Sequence, residues 1–228
     1  MHNVILLFLY VGGMATFMPQ DNWQHLFNAK NLEGWEVKGA AESNFFVEDG
    51  ILVAETKLGL PNTFLATTKE YEDFELEVEF WVPDGINTGV QIRSDVYSAE
   101  TTTPYLNGKL EASERTWEAG RVHGYQIEID PSARAWTGGF YEEGGRGWLV
   151  PLSDNEQARQ AFKNNDWNHF RIMADGKHFK SWINGVMAVD THDDMAVSGF
   201  IALQLHSIKN QEQEGKQIRW RNIRIKEL

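Results

Sequence analysis

The sequence predicts an all-β fold, an antiparallel two-sheet sandwich of the jelly-roll kind. Three observations predict it. Apolar and polar residues alternate with a period of two in several separate segments, as strands with one buried face require. Tight-turn dipeptides, Asp49-Gly50, Asp175-Gly176 and Asn184-Gly185, punctuate these segments. Helical periodicity is scarce, and strands follow one another without the β–α alternation that builds parallel sheets.

Residues 45–54 read as a hairpin around Asp49-Gly50, a pair suited to the positive φ angles of a two-residue turn. Residues 74–82 alternate cleanly, with Glu75, Glu77 and Glu79 on a solvated face that also deters edge pairing. Residues 170–174 and 178–183 form a second hairpin, which Asn184-Gly185 extends into residues 186–189 as a meander. Residues 217–225 form the last strand. The one helix expected spans residues 153–162, with Ser153 as cap and Glu156 three residues on. Residues 97–122 lack clear periodicity and read as a long loop, which in a compact domain usually serves function or moves.

The chain has 228 residues, a net charge of −12, no cysteine, 42% hydrophobic and 12% aromatic residues. The apolar content is ample for a core and argues against disorder. The acidic balance disfavours nucleic acid and anionic membrane surfaces, which need Lys/Arg clusters. Without cysteine there are no disulfides and no thiolate chemistry. Nine tryptophans serve core packing first, but tryptophan also stacks on the apolar face of a sugar ring. Residues 1–20 carry the run Val4-Ile5-Leu6-Leu7-Phe8-Leu9-Tyr10-Val11 and then small residues, the size of a signal-peptide core and short for a bilayer span. The n-region has no Lys or Arg, yet the segment reads as an export signal. Residues 21–228 are then one periplasmic or secreted domain with no stable membrane insertion.

The polar faces of three strands carry the candidate chemistry. Gly124-Tyr125-Gln126-Ile127-Glu128-Ile129-Asp130 aligns Gln126, Glu128 and Asp130, with carboxylate Cβ atoms ~7 Å apart by strand rise. That pair can separate an acid from a base or hold a divalent cation; no cofactor is otherwise implied. Gly89-Val90-Gln91-Ile92-Arg93-Ser94 puts Gln91 and Arg93 on one side. A guanidinium there binds a carboxylate or sugar oxygen, or else pairs structurally with Glu128. Ile201-Ala202-Leu203-Gln204-Leu205-His206 contributes Gln204 and His206, the latter able to act as acid, base or ligand. His123 is a further candidate. Tyr141, Arg146 and Trp148, on the glycine-rich stretch 136–148, either rim a sugar site or belong to hairpin turns. No nucleophile elbow, phosphate loop or zinc helix is present.

In chain order, the following stretches form a pattern: Trp23-Gln24-His25-Leu26-Phe27-Asn28, Leu32-Glu33-Gly34-Trp35, Phe46-Val47-Glu48-Asp49-Gly50-Ile51-Leu52, Phe74-Glu75-Leu76-Glu77-Val78-Glu79-Phe80, Asn87-Thr88-Gly89-Val90-Gln91-Ile92-Arg93-Ser94, the 124–130 strand, Thr137-Gly138-Gly139-Phe140-Tyr141, Asp166-Trp167-Asn168, Trp182-Ile183-Asn184-Gly185, residues 199–206 and Arg221-Asn222-Ile223-Arg224-Ile225. This pattern resembles the 3-keto-disaccharide hydrolase domain family, related to the concanavalin A-like lectins and glucanases. It covers nearly all of the chain after residue 20. Two motifs depart from it, at Gly138-Gly139-Phe140-Tyr141 and at Asn164-Asn165-Asp166, and neither removes a candidate group. The resemblance implies a jelly roll with a concave binding face, a carbohydrate partner and cleavage of glycosides already oxidised at C3. That route needs a base for the C2 proton, an oxyanion stabiliser and an acid for the leaving oxygen. On this reading Glu128 is base or acid, Arg93 (with or without a metal) steadies the enolate, and His206 completes the proton transfers. Asp130 and Gln126 orient them, and Gln91, Gln126, Gln204, His123, Tyr141, Arg146 and Trp148 bind substrate. A conventional glycosidase with paired carboxylates and a non-catalytic carbohydrate-binding module stay open as alternatives.

Overall fold

The computed structural model describes residues 22–41 and 44–228; the expected export signal, residues 1–20, lies outside the described residues. In chain order the strands are β1 (Gln24–His25), β2 (Trp35–Lys38), β3 (Asn44–Glu48), β4 (Ile51–Glu55), β5 (Thr63–Tyr71), β6 (Phe74–Trp81), β7 (Thr88–Val96), β8 (Thr101–Leu106), β9 (Ala112–Trp117), β10 (Val122–Ile129), β11 (Phe140–Glu143) and β12 (Gly147–Val150). The helix α1 (Glu156–Ala161) follows, then β13 (Asn168–Asp175), β14 (His178–Ile183), β15 (Val186–His192), β16 (Gly199–Leu205) and β17 (Gln217–Glu227).

These strands form two sheets, neither closed. One runs β15-β14-β13-β6-β17-β4-β3, with β1 added beside β17; the other runs β2-β5-β16-β7-β10-β11-β12-β8-β9. All pairings are antiparallel except β12 with β8. The inward faces meet in one core: Leu76, Val78, Phe80, Phe170, Ile172 and Trp220 from the first sheet, Val90, Ile92, Tyr125, Ile127, Ile129 and Leu203 from the second. Each of these belongs to a period-two run, so the sandwich follows from the alternation read in the sequence. Asp49 and Gly50 adopt φ of 49° and 77°, and Asn184 and Gly185 φ of 49° and 84°, the left-handed pairs that a two-residue hairpin demands.

Three local expectations change. The helix starts later, because Asn155 rather than Ser153 caps it, its side chain accepting from the Ala158 N–H at 3.1 Å. Residues 97–122 are not a structureless loop; they contain the β8–β9 hairpin, registered from Thr101↔Trp117 to Leu106↔Ala112. This arm is largely exposed, so neither strand needs the apolar alternation that betrays a buried face. Finally, the alternation of β7 breaks. Gln91 pairs with Gln126 and Ile92 with Tyr125, but the register shifts before Asp95 meets His123, and Arg93 takes φ of +44°. This β-bulge keeps Ser94 on the side of Gln91, to which its hydroxyl donates at 3.0 Å, and turns Arg93 away. Gly124 faces the bulge; a Cβ there would lie 2.6 Å from Ser94 Cα.

Candidate active site

On the face of the second sheet turned away from the core, register sets the site. Glu128 pairs with Gly89 and Gln126 with Gln91, while Leu203 pairs with Val90. Gln204 and Glu128 therefore flank Gly89. Having no side chain, Gly89 leaves a hollow over which Gln126 lies; a Cβ at Gly89 would come within 2.5 Å of the Gln126 Cδ. The resulting cavity, about 190 Å³, is lined by Gln126, Glu128, Gln204, His206, Asn87 and Arg134, with Tyr105, Gly108, Tyr141, Glu143 and Trp148 completing the wall.

A hydrogen-bonded row holds the carboxylate. The Gln91 amide donates to Gln126 Oε1 at 2.5 Å, Gln126 Nε2 donates to Glu128 Oε2 at 2.6 Å, and Asn87 Nδ2 donates to Glu128 Oε1 at 2.5 Å. Glu128 is 5% exposed. Burial pushes its pKa up to about 7, and the negative charge of Asp130 adds to the rise, while the Asn87 and Gln126 bonds and the Arg134 charge pull the other way. A carboxylate at that value accepts a proton near neutrality and can give it back. Gln204 is fully buried, and neither its Nε2 nor its Oε1 has a hydrogen-bond partner among the described residues. A buried amide left unpaired is costly unless something else meets it. His206 Nδ1 lies 2.7 Å from the Ser207 carbonyl oxygen, so Nδ1 carries the donated proton and Nε2 is the nitrogen left for chemistry. Burial and the nearby Glu143 and Glu128 charges raise the Tyr141 hydroxyl far above its usual range, so it stays a protonated donor.

Six expected residues thus converge: Glu128, Gln126, Gln204, His206, Tyr141 and Trp148 line the cavity, and Gln91 supports them from behind. Four lie elsewhere. Arg93 is a correction: its guanidinium, 1% exposed, donates to the Glu72, Gly176 and Ala196 carbonyls at 2.7, 2.7 and 3.2 Å and to Asp73 at 2.8 Å. It clamps turns at one end of the sandwich and is not paired with Glu128, because the bulge reverses its direction. Arg146 is tied to Glu142 and, at 2.9 and 2.8 Å, to Asp193. His123 stacks on Tyr97, ring centroids 3.9 Å apart, and burial pushes its imidazole pKa down. Asp130 stands behind the cavity, accepting from Arg134 Nε at 2.8 Å and from the Ser132 N–H at 3.0 Å.

Arg134 takes the place expected of Arg93. Asp130 fixes it from below, and its guanidinium lies 4.5 Å from the Trp136 ring and 5.2 Å from the Trp148 ring. The sequence signal was available: Asp130 and Arg134 are four residues apart across a Pro-Ser turn. Tyr105 comes from the arm read as a loop, its hydroxyl 3.2 Å from that of Tyr141. Glu143, buried and paired with Arg121, accepts from Asn62 Nδ2 at 3.2 Å. Among the described residues no three His, Asp or Glu side chains gather as a metal-holding group. A cation at the Glu128–Asp130 pair would find Asp130 already engaged by Arg134. No helix among the described residues is long and apolar enough to cross a membrane.

If the hollow over Gly89 positions Gln126 against Glu128, then Gly89→Ala displaces that amide. Its lost bond to the carboxylate raises the Glu128 pKa further. The expected result is a fall of about tenfold in kcat/KM and a pH–rate midpoint moved upward, read from a pH profile of the variant.

Sandwich and cavity together define a lectin-like jelly roll with a polar pocket on the outer face of one sheet. Residues 22–226 match the 3-keto-alpha-glucoside-1,2-lyase-like domain, and the chain belongs to that family. No curated protein matches the sequence. Among solved structures, a candidate glycosyl hydrolase from Parabacteroides distasonis is similar with a TM-score of 0.57 at 15% identity, over 91% of this chain and 94% of that one. A protein of unknown function with a galectin-like fold from Bacillus subtilis gives 0.58 at 9% identity, over 90% and 94%. The carbohydrate-binding module CBM66, also from Bacillus subtilis, gives 0.53 at 16% identity, over 84% and 94%. At these identities the likeness is one of fold.

Proposed function

We propose that this protein cleaves 3-keto-glycosides by elimination followed by hydration, with Glu128 as the base. The observation that carries the reading is a buried carboxylate, raised to about 7, at the base of a polar cavity. Ionised Glu128 takes the C2 proton, made acidic by the neighbouring ketone, and leaves an enolate with charge on the C3 oxygen. The unpartnered Gln204 Nε2 and the Arg134 guanidinium supply donors for that oxygen, a preorganised oxyanion site. The enolate collapses: the C3 carbonyl re-forms, a C1–C2 double bond forms, and the C1–O bond breaks as His206, entering the cycle as an imidazolium, gives its Nε2 proton to the departing oxygen. Water then adds its hydroxyl to C1 and its proton to His206, while Glu128 returns its proton to C2. The net change is hydrolysis, and both residues end as they began. If water does not add, the product is the unsaturated ketone of a lyase.

Release of the leaving alcohol from methyl 3-keto-α-glucoside, beside unoxidised methyl α-glucoside and with and without EDTA, tests this reading. Release from the keto compound alone supports it; EDTA sensitivity would add a cation to the site. Release from the unoxidised glycoside would instead support a conventional glycosidase. For that mechanism the Glu128–Asp130 pair is poorly arranged, since Asp130 holds Arg134. The similarity to CBM66 and the Tyr105, Tyr141 and Trp148 lining favour a second reading, a carbohydrate-binding module. Sugar binding without any product release would support it.

Gln204→Leu separates function from fold. Removing an unpaired buried amide relieves a desolvation cost of about 1–3 kcal/mol, so the melting temperature should hold or rise. Turnover should fall about 10²-fold with the loss of an oxyanion donor. Calorimetry beside single-substrate kinetics reads both; a lower melting temperature with unchanged turnover would contradict the assignment.

A further inference from the structure

We propose that a second hollow, beyond His206, receives the leaving saccharide of the substrate. This hollow, about 250 Å³, is lined by Ile86, Asn87, His206, Ile208, Lys209 and Gln213, among others. Asn87 and His206 also line the Glu128 cavity, so the two hollows share one wall. Either alone falls below the ~300 Å³ at which small-molecule sites begin, whereas joined they lie within that range. A substrate that fills both has its scissile bond beside His206, whose Nε2, not engaged by the protein, can carry the proton given to the departing oxygen.

The second hollow is built rather than incidental. Gln213 Nε2 donates to the Gly85 carbonyl at 2.8 Å, and its Oε1 accepts from the Lys209 and Asn210 N–H groups at 3.3 and 3.4 Å. Lys216 Nζ donates to the Asp84 carbonyl at 3.0 Å. These bonds fasten the 84–87 and 206–216 loops together. Ile86 and Ile208, both buried, back the hollow with apolar side chains, and the Lys209 ammonium has no partner among the described residues. An apolar base with an unengaged donor at the rim matches a sugar ring, which presents C–H faces and hydroxyl edges. A larger hollow near Trp117 and Arg121, about 450 Å³, is a weaker candidate. It shares no lining residue with the Glu128 cavity.

The inference rests on the 3-keto-glycoside reading, and its test keeps the two apart. The quantity measured is the ratio of kcat/KM for 3-ketomaltose to that for methyl 3-keto-α-glucoside, whose leaving group is only methanol. Lys209→Trp, which fills the hollow from an exposed position, should lower this ratio about tenfold, and Lys209→Ala should lower it severalfold. An unchanged ratio in both variants overturns the subsite, as does a ratio that falls instead in Trp117→Ala. If the wild type releases nothing from either compound, the functional reading fails. The subsite is then decided by calorimetric binding of 3-ketomaltose: about tenfold weaker binding to Lys209→Trp supports it, and equal binding overturns it.

Discussion

Glu128→Gln is expected to lose about 10³-fold or more in kcat while the sandwich stays folded. The substitution keeps the volume of the side chain, and the Gln126 and Gln91 amides can turn to accommodate a new donor. Stability adds an independent signature. The folded pKa of about 7 stands above the ordinary 4.5, so the folded state holds this proton more tightly than the unfolded chain does. The associated stability is fully present below about pH 4.5 and is lost as pH rises through 7, a change of about 3 kcal/mol. The variant has no such group. Its stability relative to wild type should therefore increase between pH 4.5 and pH 8, by about that amount, in urea titrations at the two pH values. The same pKa sets the activity profile: wild-type kcat/KM should climb with pH through an apparent value near 7 as the base ionises. Equal pH dependence in the two proteins would mean that Glu128 ionises as it does in an unfolded chain.

Arg93→Ala should do the opposite, damaging the fold and sparing the chemistry. Its buried guanidinium binds three backbone carbonyls and Asp73 and packs 5.0 Å from the Phe179 ring. Asp73 is 35% exposed, so solvent screens much of the ion pair itself. The larger loss is three carbonyls without their donor and a void at the end of the core. A destabilisation of about 3–5 kcal/mol follows, with kcat per folded molecule unchanged. Urea midpoints beside kcat normalised to folded protein check it. Unaltered stability with abolished turnover would return Arg93 to the site.

Arg93 also marks where the sequence stopped being legible. Alternation is a count of two, and it located the strands that carry Gln126, Glu128 and Gln204, with His206 one residue past the end of β16, because nothing interrupts the count there. One bulge residue between Gln91 and Asp95 reverses every side chain after it, and no composition signal separates such a bulge from a regular strand. Arg134 was missed for the complementary reason: it sits on a turn, where position follows from the Asp130 contact and not from periodicity. Tyr105 lay on an arm whose inner face is only half-buried and begins with Thr101 and Thr103, so it carries no apolar alternation. The fold itself was legible almost throughout, since both sheets bury one face and the hairpin turns at Asp49-Gly50 and Asn184-Gly185 are spelled by residues that tolerate positive φ. The buried, unpartnered state of Gln204 depends on what packs around it, and only the three-dimensional arrangement discloses that.

On the proposed mechanism Glu128 removes the C2 proton of a 3-keto sugar. Cleavage of methyl 3-keto-α-glucoside carrying deuterium at C2 tests it most directly, followed by NMR for wild type and Glu128→Gln. With Glu128 as the base, wild-type turnover shows a primary isotope effect, and the variant shows neither label loss nor methanol release. Methanol release with the C2 deuterium fully retained and no isotope effect would contradict it, because the C1–O bond would then break without a base at C2.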